Sequence, residues 1–476
     1  MASSTRKNAM YNVAYRLFSV LLPLVTAPYL SRTVGPEGVG LYSRAWNISY
    51  IFCLIAMLGL NDYGVRAVAR VRDRREELDR TVSAIWQMQA AVAGAVLVFW
   101  FGYVVCFAGE EREVALHLTM MSVSCLVSLD WCLMGLDLFR PIALRNTFVK
   151  SIAAVSVFLF VKRREDLWIY ALVWSLATLL GNLSCLSSLR GRVRYVRVPM
   201  RESWKHLRPC AVLFISVMAV SIYRTMDKVM VSWIAGLEQN GQYENAEKII
   251  YCLSGFISAI GTVMMPKISH MQQEGKTEEI RRHIDRSMNL ILCMVSAMAF
   301  GVCAVADRFA PLFYGEEFAE AGRLMAPLAF TLIMIGFANV IRTQWVLPQG
   351  RDSIFVTSVC AGAAVNLAAN LCLIPGMKAM GAVIGTLMAE LTVPVVQFLL
   401  LRRELPYRRF LGYAGEYAAI GVAMLAAVRW AGRMIPWQGW AGLAVQVAIG
   451  MAVYGALTLA LWRTTGFRPG MLSKNR

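Results

Sequence analysis

Apolar runs of 20 or more residues recur from one end of the 476-residue chain to the other, fourteen in all, with only short polar connections between them. A run of that length, wound as a helix, matches a bilayer's hydrocarbon thickness of roughly 30 Å. Within hydrocarbon no water can satisfy a stray N–H or C=O, so each run must close its own backbone hydrogen bonds as a helix. The chain is therefore read as an all-α, polytopic membrane protein. Composition agrees: 16% of residues are charged, against about 25% in an ordinary soluble chain. The spans are placed at 10–30, 40–63, 82–107, 114–137, 142–161, 167–189, 210–235, 243–265, 287–306, 324–347, 353–373, 379–401, 411–430 and 440–462.

The chain also repeats itself. AGLEQNGQYENAEKIIYC from Ala235 aligns without gaps on VGPEGVGLYSRAWNISYI from Val34, 201 residues earlier. Gly35/Gly236, Glu37/Glu238, Gly40/Gly241, Tyr42/Tyr243, Ala45/Ala246, Ile48/Ile249 and Tyr50/Tyr251 match, seven of 18, where chance gives about one. The offset carries span 2 onto span 8 across an even number of spans. Spans 1–6 and 7–12 thus form two lobes of like orientation, related by a pseudo-two-fold along the membrane normal. This divides the chain into a six-helix lobe at 1–208, a second at 209–403, and an additional two-helix hairpin and tail at 404–476. Two such lobes leave a cavity between them where a solute can bind.

Charge fixes orientation. With the N-terminus cytoplasmic, inner loops and tails hold 31 of the 48 Lys and Arg, outer loops hold 10, and seven lie inside spans. That asymmetry puts both termini in the cytoplasm and accounts for the net charge of +18 without any nucleic-acid partner. Lys162–Arg164 is the one basic outer loop. Eleven cysteines show no CxxC and no paired spacing with the four histidines, so no metal, cofactor or disulfide framework is expected.

Charges that remain at membrane depth are the candidate functional groups, because burying them costs free energy unless they have a partner or face water. Arg224, Asp227 and Lys228 share a helix face at i, i+3, i+4, with Arg224 near the midplane. Lys150 is similarly deep, and Arg342 intermediate. Arg16, Arg44 and Lys248 lie within two turns of a span end, where they can snorkel. Asp130 and Asp137 are possible counter-charges to Arg224 and Lys228. Glu390, one turn before Pro394, is a candidate ion-coupling site, since a titratable group there would meet freed carbonyls. Asn47 and Asn245 belong to a set of deep amides suited to sugar hydroxyls, and Pro23 and Pro28 are expected to kink the first helix. The expected cavity set is Arg224, Lys228, Asp227, Lys150, Arg342, Arg16, Asn47 and Asn245, with no catalytic residue.

The stretch from Tyr15 to Asp73, with its Pro-Tyr-Leu-x-Arg…Gly-x-x-Gly-x-Gly-x-Tyr pattern at Pro28–Tyr42, resembles the polysaccharide repeat-unit flippases. So does the second-half stretch from Asp227 through Gly241-x-Tyr243-x-x-Ala246. These flippases belong to the multidrug/oligosaccharidyl-lipid/polysaccharide exporter superfamily, and the likeness extends over the whole chain. It implies an inner-membrane transporter of bacteria that moves an undecaprenyl-pyrophosphate-linked oligosaccharide to the outer leaflet by alternating access. It also implies ion coupling, and glycan polymerase or other assembly proteins as partners. Two relatives of the same fold compete: a lipid-linked peptidoglycan precursor flippase and a multidrug exporter. A cation exporter would need acids to dominate at depth, and here bases do. A membrane enzyme would need a large outer loop with paired catalytic groups, whereas the largest outer loop, Asp307–Arg323, is short.

Overall fold

The computed structural model describes the backbone at residues 2–434, 437 and 439–466. It describes side chains at residue 18 and from residue 22 onward, apart from 215–217, 219–220, 222–223 and 262–263. Among the described residues there are helices and no strands. In chain order the α-helices are α1 (Ala2–Met57), α2 (Leu60–Val71), α3 (Arg75–Cys106), α4 (Arg112–Val127), α5 (Asp130–Gly135) and α6 (Phe139–Phe160). Then come α7 (Leu167–Leu189), α8 (Met200–Ser203), α9 (Leu207–Ile234), α10 (Leu237–Gln273), α11 (Thr277–Tyr314) and α12 (Ala319–Leu328). The last five are α13 (Thr331–Ile341), α14 (Asp352–Met377), α15 (Ala379–Leu401), α16 (Tyr407–Met434) and α17 (Gly439–Thr465).

Eleven described helices are long and apolar enough to cross a membrane, or twelve if the pair Glu316–Leu328 and Thr331–Gln349, bent by 42°, counts as one span. The fold is thus polytopic and all-α. The fourteen expected spans all fall on helical segments, with the first and most of the second sharing α1 and the seventh falling on the 28-residue α9, but the second, fourth and tenth are each divided between two or more helices.

Inside α1 the helical backbone is interrupted at Gly35, φ 70° and ψ 179°, and not at Pro23 or Pro28, the residues expected to kink it. The reason is local. A residue with φ > 0 needs Gly, and Pro36 directly after it suits the first position of the next helical segment, where no N–H is required. The fourth span is also broken, at Ser128–Leu129 between α4 and α5. Gln89 from α3 covers the break, its amide donating to the carbonyls of Cys125 at 2.6 Å and Ser128 at 2.9 Å. Its own oxygen accepts from Trp131 Nε1 at 3.0 Å. A side chain thereby replaces the helical bonds lost in an apolar setting.

The chain forms two compact units, Met1–Gly241 and Gln242–Arg476. In the first, α9 packs on α1 and α2, and α2 packs on α5. A Cβ at Gly64 would lie 2.6 Å from the Trp131 ring, so the α2–α5 contact requires a glycine there. Around this contact Leu60, Val68, Ile85, Met88, Trp131 and Leu133 form an almost fully buried core. In the second unit α14 and α15 form a tight hairpin, while α16 and α17 lie against α11.

Candidate functional site

The duplicated segments adopt matching local structures. Gly35 (φ 70°) and Gly236 (φ 96°) both hold the left-handed backbone immediately before the repeated helix. Five residues on, Gly40 and Gly241 allow backbone-to-backbone contact. A Cβ on Gly40 would stand 1.8 Å from the Leu237 carbonyl oxygen, and one on Gly241 1.9 Å from that of Pro36. Asn240 Nδ2 donates to the Gly40 carbonyl at 2.9 Å. The tyrosines follow suit, each meeting the sixth helix of its own copy. Tyr42 packs edge-on against Tyr170 of α7, and the Tyr243 hydroxyl is 2.9 Å from Thr386 Oγ1 of α15.

The sequence-derived candidates divide into several groups. On α9, Asp227 is buried, Lys228 half-buried and Arg224 exposed. Lys150 on α6 is half-buried. In the second unit Arg342 opens a π-helical turn, Arg342–Val346. Its Nη2 donates to Asn339 Oδ1 at 3.0 Å, and its guanidinium lies 5.1 Å from the Phe355 ring centroid. Glu390 is half-buried on α15, one turn before the buried Pro394. The Arg16 side chain lies outside the described residues.

Other assignments change. Asn47 turns back on its own helix, donating to the Ser43 carbonyl at 2.7 Å. Asn245 is fully buried and its carbonyl accepts from Tyr314 Oη at 3.1 Å. Arg44 does not snorkel: it is buried and paired with Glu111, which also accepts from Tyr103 Oη at 2.8 Å. Asp130 is not a counter-charge for α9. Arg145 Nη1 and Nη2 lie 3.0 Å from its two carboxylate oxygens, and Cys185 Sγ donates to it at 2.8 Å. Asp137 pairs with Arg72 at an exposed position.

Sequence reasoning counted neither Arg145 nor Glu111 among the candidate groups and so missed both pairs. Asn366 and Asn370 belong to the set of deep amides expected from the sequence, and the structure pairs them, Asn370 Nδ2 donating to Asn366 Oδ1 at 3.3 Å. Two cavities follow the seam of α11, α16 and α17. One, about 530 Å³, is lined almost wholly by apolar side chains, including Leu253, Val302, Met424 and Val447. The other, about 550 Å³, is polar and lies at the ends of the same helices.

At that end, Glu404 ties the connections together. It accepts from Trp345 Nε1 at 2.8 Å and Arg351 Nη1 at 2.7 Å. Burial pushes its carboxyl up, but those hydrogen bonds and the charges of Arg351 and Arg281 outweigh burial and hold it below its ordinary value. Among the described residues no group of three or more His, Cys, Asp or Glu is placed to hold a metal ion.

Comparison with known proteins places this architecture. The family described as "Polysaccharide biosynthesis protein" matches residues 5–272, more than half of the chain. The chain is 21% identical over 408 residues to the "Putative O-antigen transporter" of Escherichia coli (strain K12), covering 84% of this chain and 97% of that protein. It is 23% identical over 338 residues to the "Succinoglycan biosynthesis transport protein ExoT" of Rhizobium meliloti (strain 1021), covering 69% and 66%. In fold it is similar to "Lipid II flippase MurJ, inward closed conformation", with a TM-score of 0.79 at 14% identity, over 97% of this chain and 99% of that one. With the family match spanning the repeated helices and the fold agreeing throughout, the chain belongs to the polysaccharide biosynthesis protein family, in the multidrug/oligosaccharidyl-lipid/polysaccharide exporter superfamily.

Proposed function

We propose that the protein is a flippase. It moves an undecaprenyl-pyrophosphate-linked oligosaccharide repeat unit from the inner to the outer leaflet of a bacterial cytoplasmic membrane, by alternating access and with both termini cytoplasmic. The observation that carries this is Arg224, exposed on the long apolar helix α9 with half-buried Lys228 one turn away. A guanidinium at membrane depth is tolerated where it faces a polar or water-filled space rather than lipid. Arg and Lys together suit a pyrophosphate, the fork gripping two oxygens and the ammonium adding a point charge. The apolar cavity of about 530 Å³ along α10, α11, α16 and α17 offers a surface to a polyprenyl chain. Relatives named for O-antigen and succinoglycan transport support the same substrate class.

The functional division at 1–208, 209–403 and 404–476 belongs to this proposal, as do glycan polymerase or other assembly proteins as partners. Lys150 and Arg342 are proposed as further substrate contacts. Glu390 is proposed as the coupling group: Glu390→Gln should abolish ion dependence in reconstituted vesicles while the protein stays folded.

Arg224→Ala should leave membrane abundance unchanged, block surface glycan and leave lipid-linked repeat units on the cytoplasmic side; Arg224→Lys should recover part of the export. Reduced abundance that a second change at Asp227 restores would instead make the α9 charges structural, and full export in Arg224→Ala cells would end the proposal. The second reading, a lipid-linked peptidoglycan precursor flippase, is favoured by the fold likeness over 97% of the chain. Both cargoes share the pyrophosphate, so reconstituted vesicles offered each lipid-linked glycan separately decide between them.

A further inference from the structure

The polar cavity at the ends of α11, α16 and α17 is built differently from the charged surface around it. It encloses about 550 Å³ and lies entirely within the second unit. Its inner wall is fixed: buried Tyr417 donates to Asn289 Oδ1 at 2.5 Å and accepts from Trp462 Nε1 at 2.9 Å. Arg281, Arg282, Arg286 and Arg409 line it against only two acids, Asp285 and Glu416, an excess of two positive charges.

Part of that charge is already engaged. Arg281 pairs with Glu278 at 2.8 Å, and Arg409 Nε lies 3.4 Å from Asp285, which also accepts from Tyr413. Arg282 and Arg286 form no ion pair or hydrogen bond among the described residues. Their i, i+4 spacing puts both guanidinium groups on one face of α11, over the cavity.

We infer that this cavity binds the phosphate of an anionic phospholipid at the basic face of the membrane. Two guanidinium forks suit a phosphodiester monoanion better than Lys would, because they match its oxygens in pairs. The lipid origin follows from the surroundings. Leu461 borders the cavity, and the same helices expose Leu411 (62%), Leu457 (39%) and Leu459 (55%), the apolar surface that acyl chains would cover. Tyr413 and Trp462 line the cavity with amphipathic rings of the kind that suit the head-group region. Basic pockets between membrane helices on the cytoplasmic side are suited to such head groups.

The test uses the full chain in phosphatidylcholine nanodiscs with trace spin-labelled phosphatidylglycerol, and measures the motionally restricted fraction by electron paramagnetic resonance. The protein should restrict phosphatidylglycerol more than spin-labelled phosphatidylcholine. Arg282→Gln/Arg286→Gln should reduce that preference by about fivefold or more. Arg402→Gln/Arg403→Gln, exposed residues outside the cavity, should leave it unchanged. Arg282→Lys/Arg286→Lys keeps the charge and provides a check on folding, with intermediate preference expected. Equal loss in the 402/403 variant would reduce the effect to general surface charge and overturn the site. Displacement of the labelled lipid by inorganic phosphate alone would make it a soluble-anion site and overturn the lipid assignment.

Discussion

Replacing Gly40 by Ala adds one methyl group where two backbone segments of the first unit meet closely. The new carbon would stand 1.8 Å from the Leu237 carbonyl oxygen and 3.0 Å from the Gly241 nitrogen. Ordinary van der Waals contact begins near 3.4 Å, so about 1.6 Å of separation is required. No side-chain rotation can supply it, because both obstructing groups are backbone. The helices must therefore move apart, weakening the Asn240–Gly40 hydrogen bond and the packing beside it. Overpacking of a well-ordered interior costs about 1–3 kcal/mol, and a backbone clash of this depth belongs at the upper end. Gly94 on α3 is the control, since a Cβ there meets nothing within 4 Å. Gly94→Ala should be neutral or stabilise by about 0.5–1 kcal/mol, through helix propensity alone. The assay is thermal unfolding of purified protein in detergent, with membrane abundance alongside. Gly40→Ala and Gly241→Ala should each lower the midpoint sharply, and the double variant should fall short of the sum because the two share one contact. A midpoint for Gly40→Ala equal to that of Gly94→Ala would refute the backbone contact.

The remaining predictions concern charges and topology. Arg145→Gln or Asp130→Asn should each destabilise by about 1–3 kcal/mol, because a part-buried charge is left without its partner; unfolding of the double variant should recover most of that loss. Glu404 is held below its ordinary pKa, so its contribution to stability is complete above the unfolded carboxylate value and disappears as pH falls through the folded one. The difference in unfolding midpoint between wild type and Glu404→Gln should therefore be constant at neutral pH and close below about pH 4. Cysteine labelling of intact cells should reach Glu317→Cys and miss Lys276→Cys; the opposite pattern would invert the proposed orientation.

Much of the helical layout was legible because it depends on one-dimensional patterns. Hydropathy located every long helix, and the repeat pointed to Gly35/Gly236 and Gly40/Gly241 before any contact was known. The break at Gly35 went unread, although a glycine followed by a proline is itself a turn signal. The broken fourth span was also hidden. Its missing backbone bonds are supplied by Gln89, more than thirty residues away, and nothing in the local sequence signals that.

The sequence by itself determined that the chain spans a membrane as helices, that one half copies the other, and where glycine had to stand. Only the tertiary structure decided partners. It gave Asp130 to Arg145 instead of to α9, buried Arg44 against Glu111, turned Asn47 onto its own helix, and aligned α11, α16 and α17 to enclose one apolar and one basic cavity. The reason is rotational. Hydropathy is nearly unchanged when an apolar helix turns about its axis, but such a turn changes every neighbour its few polar side chains can reach.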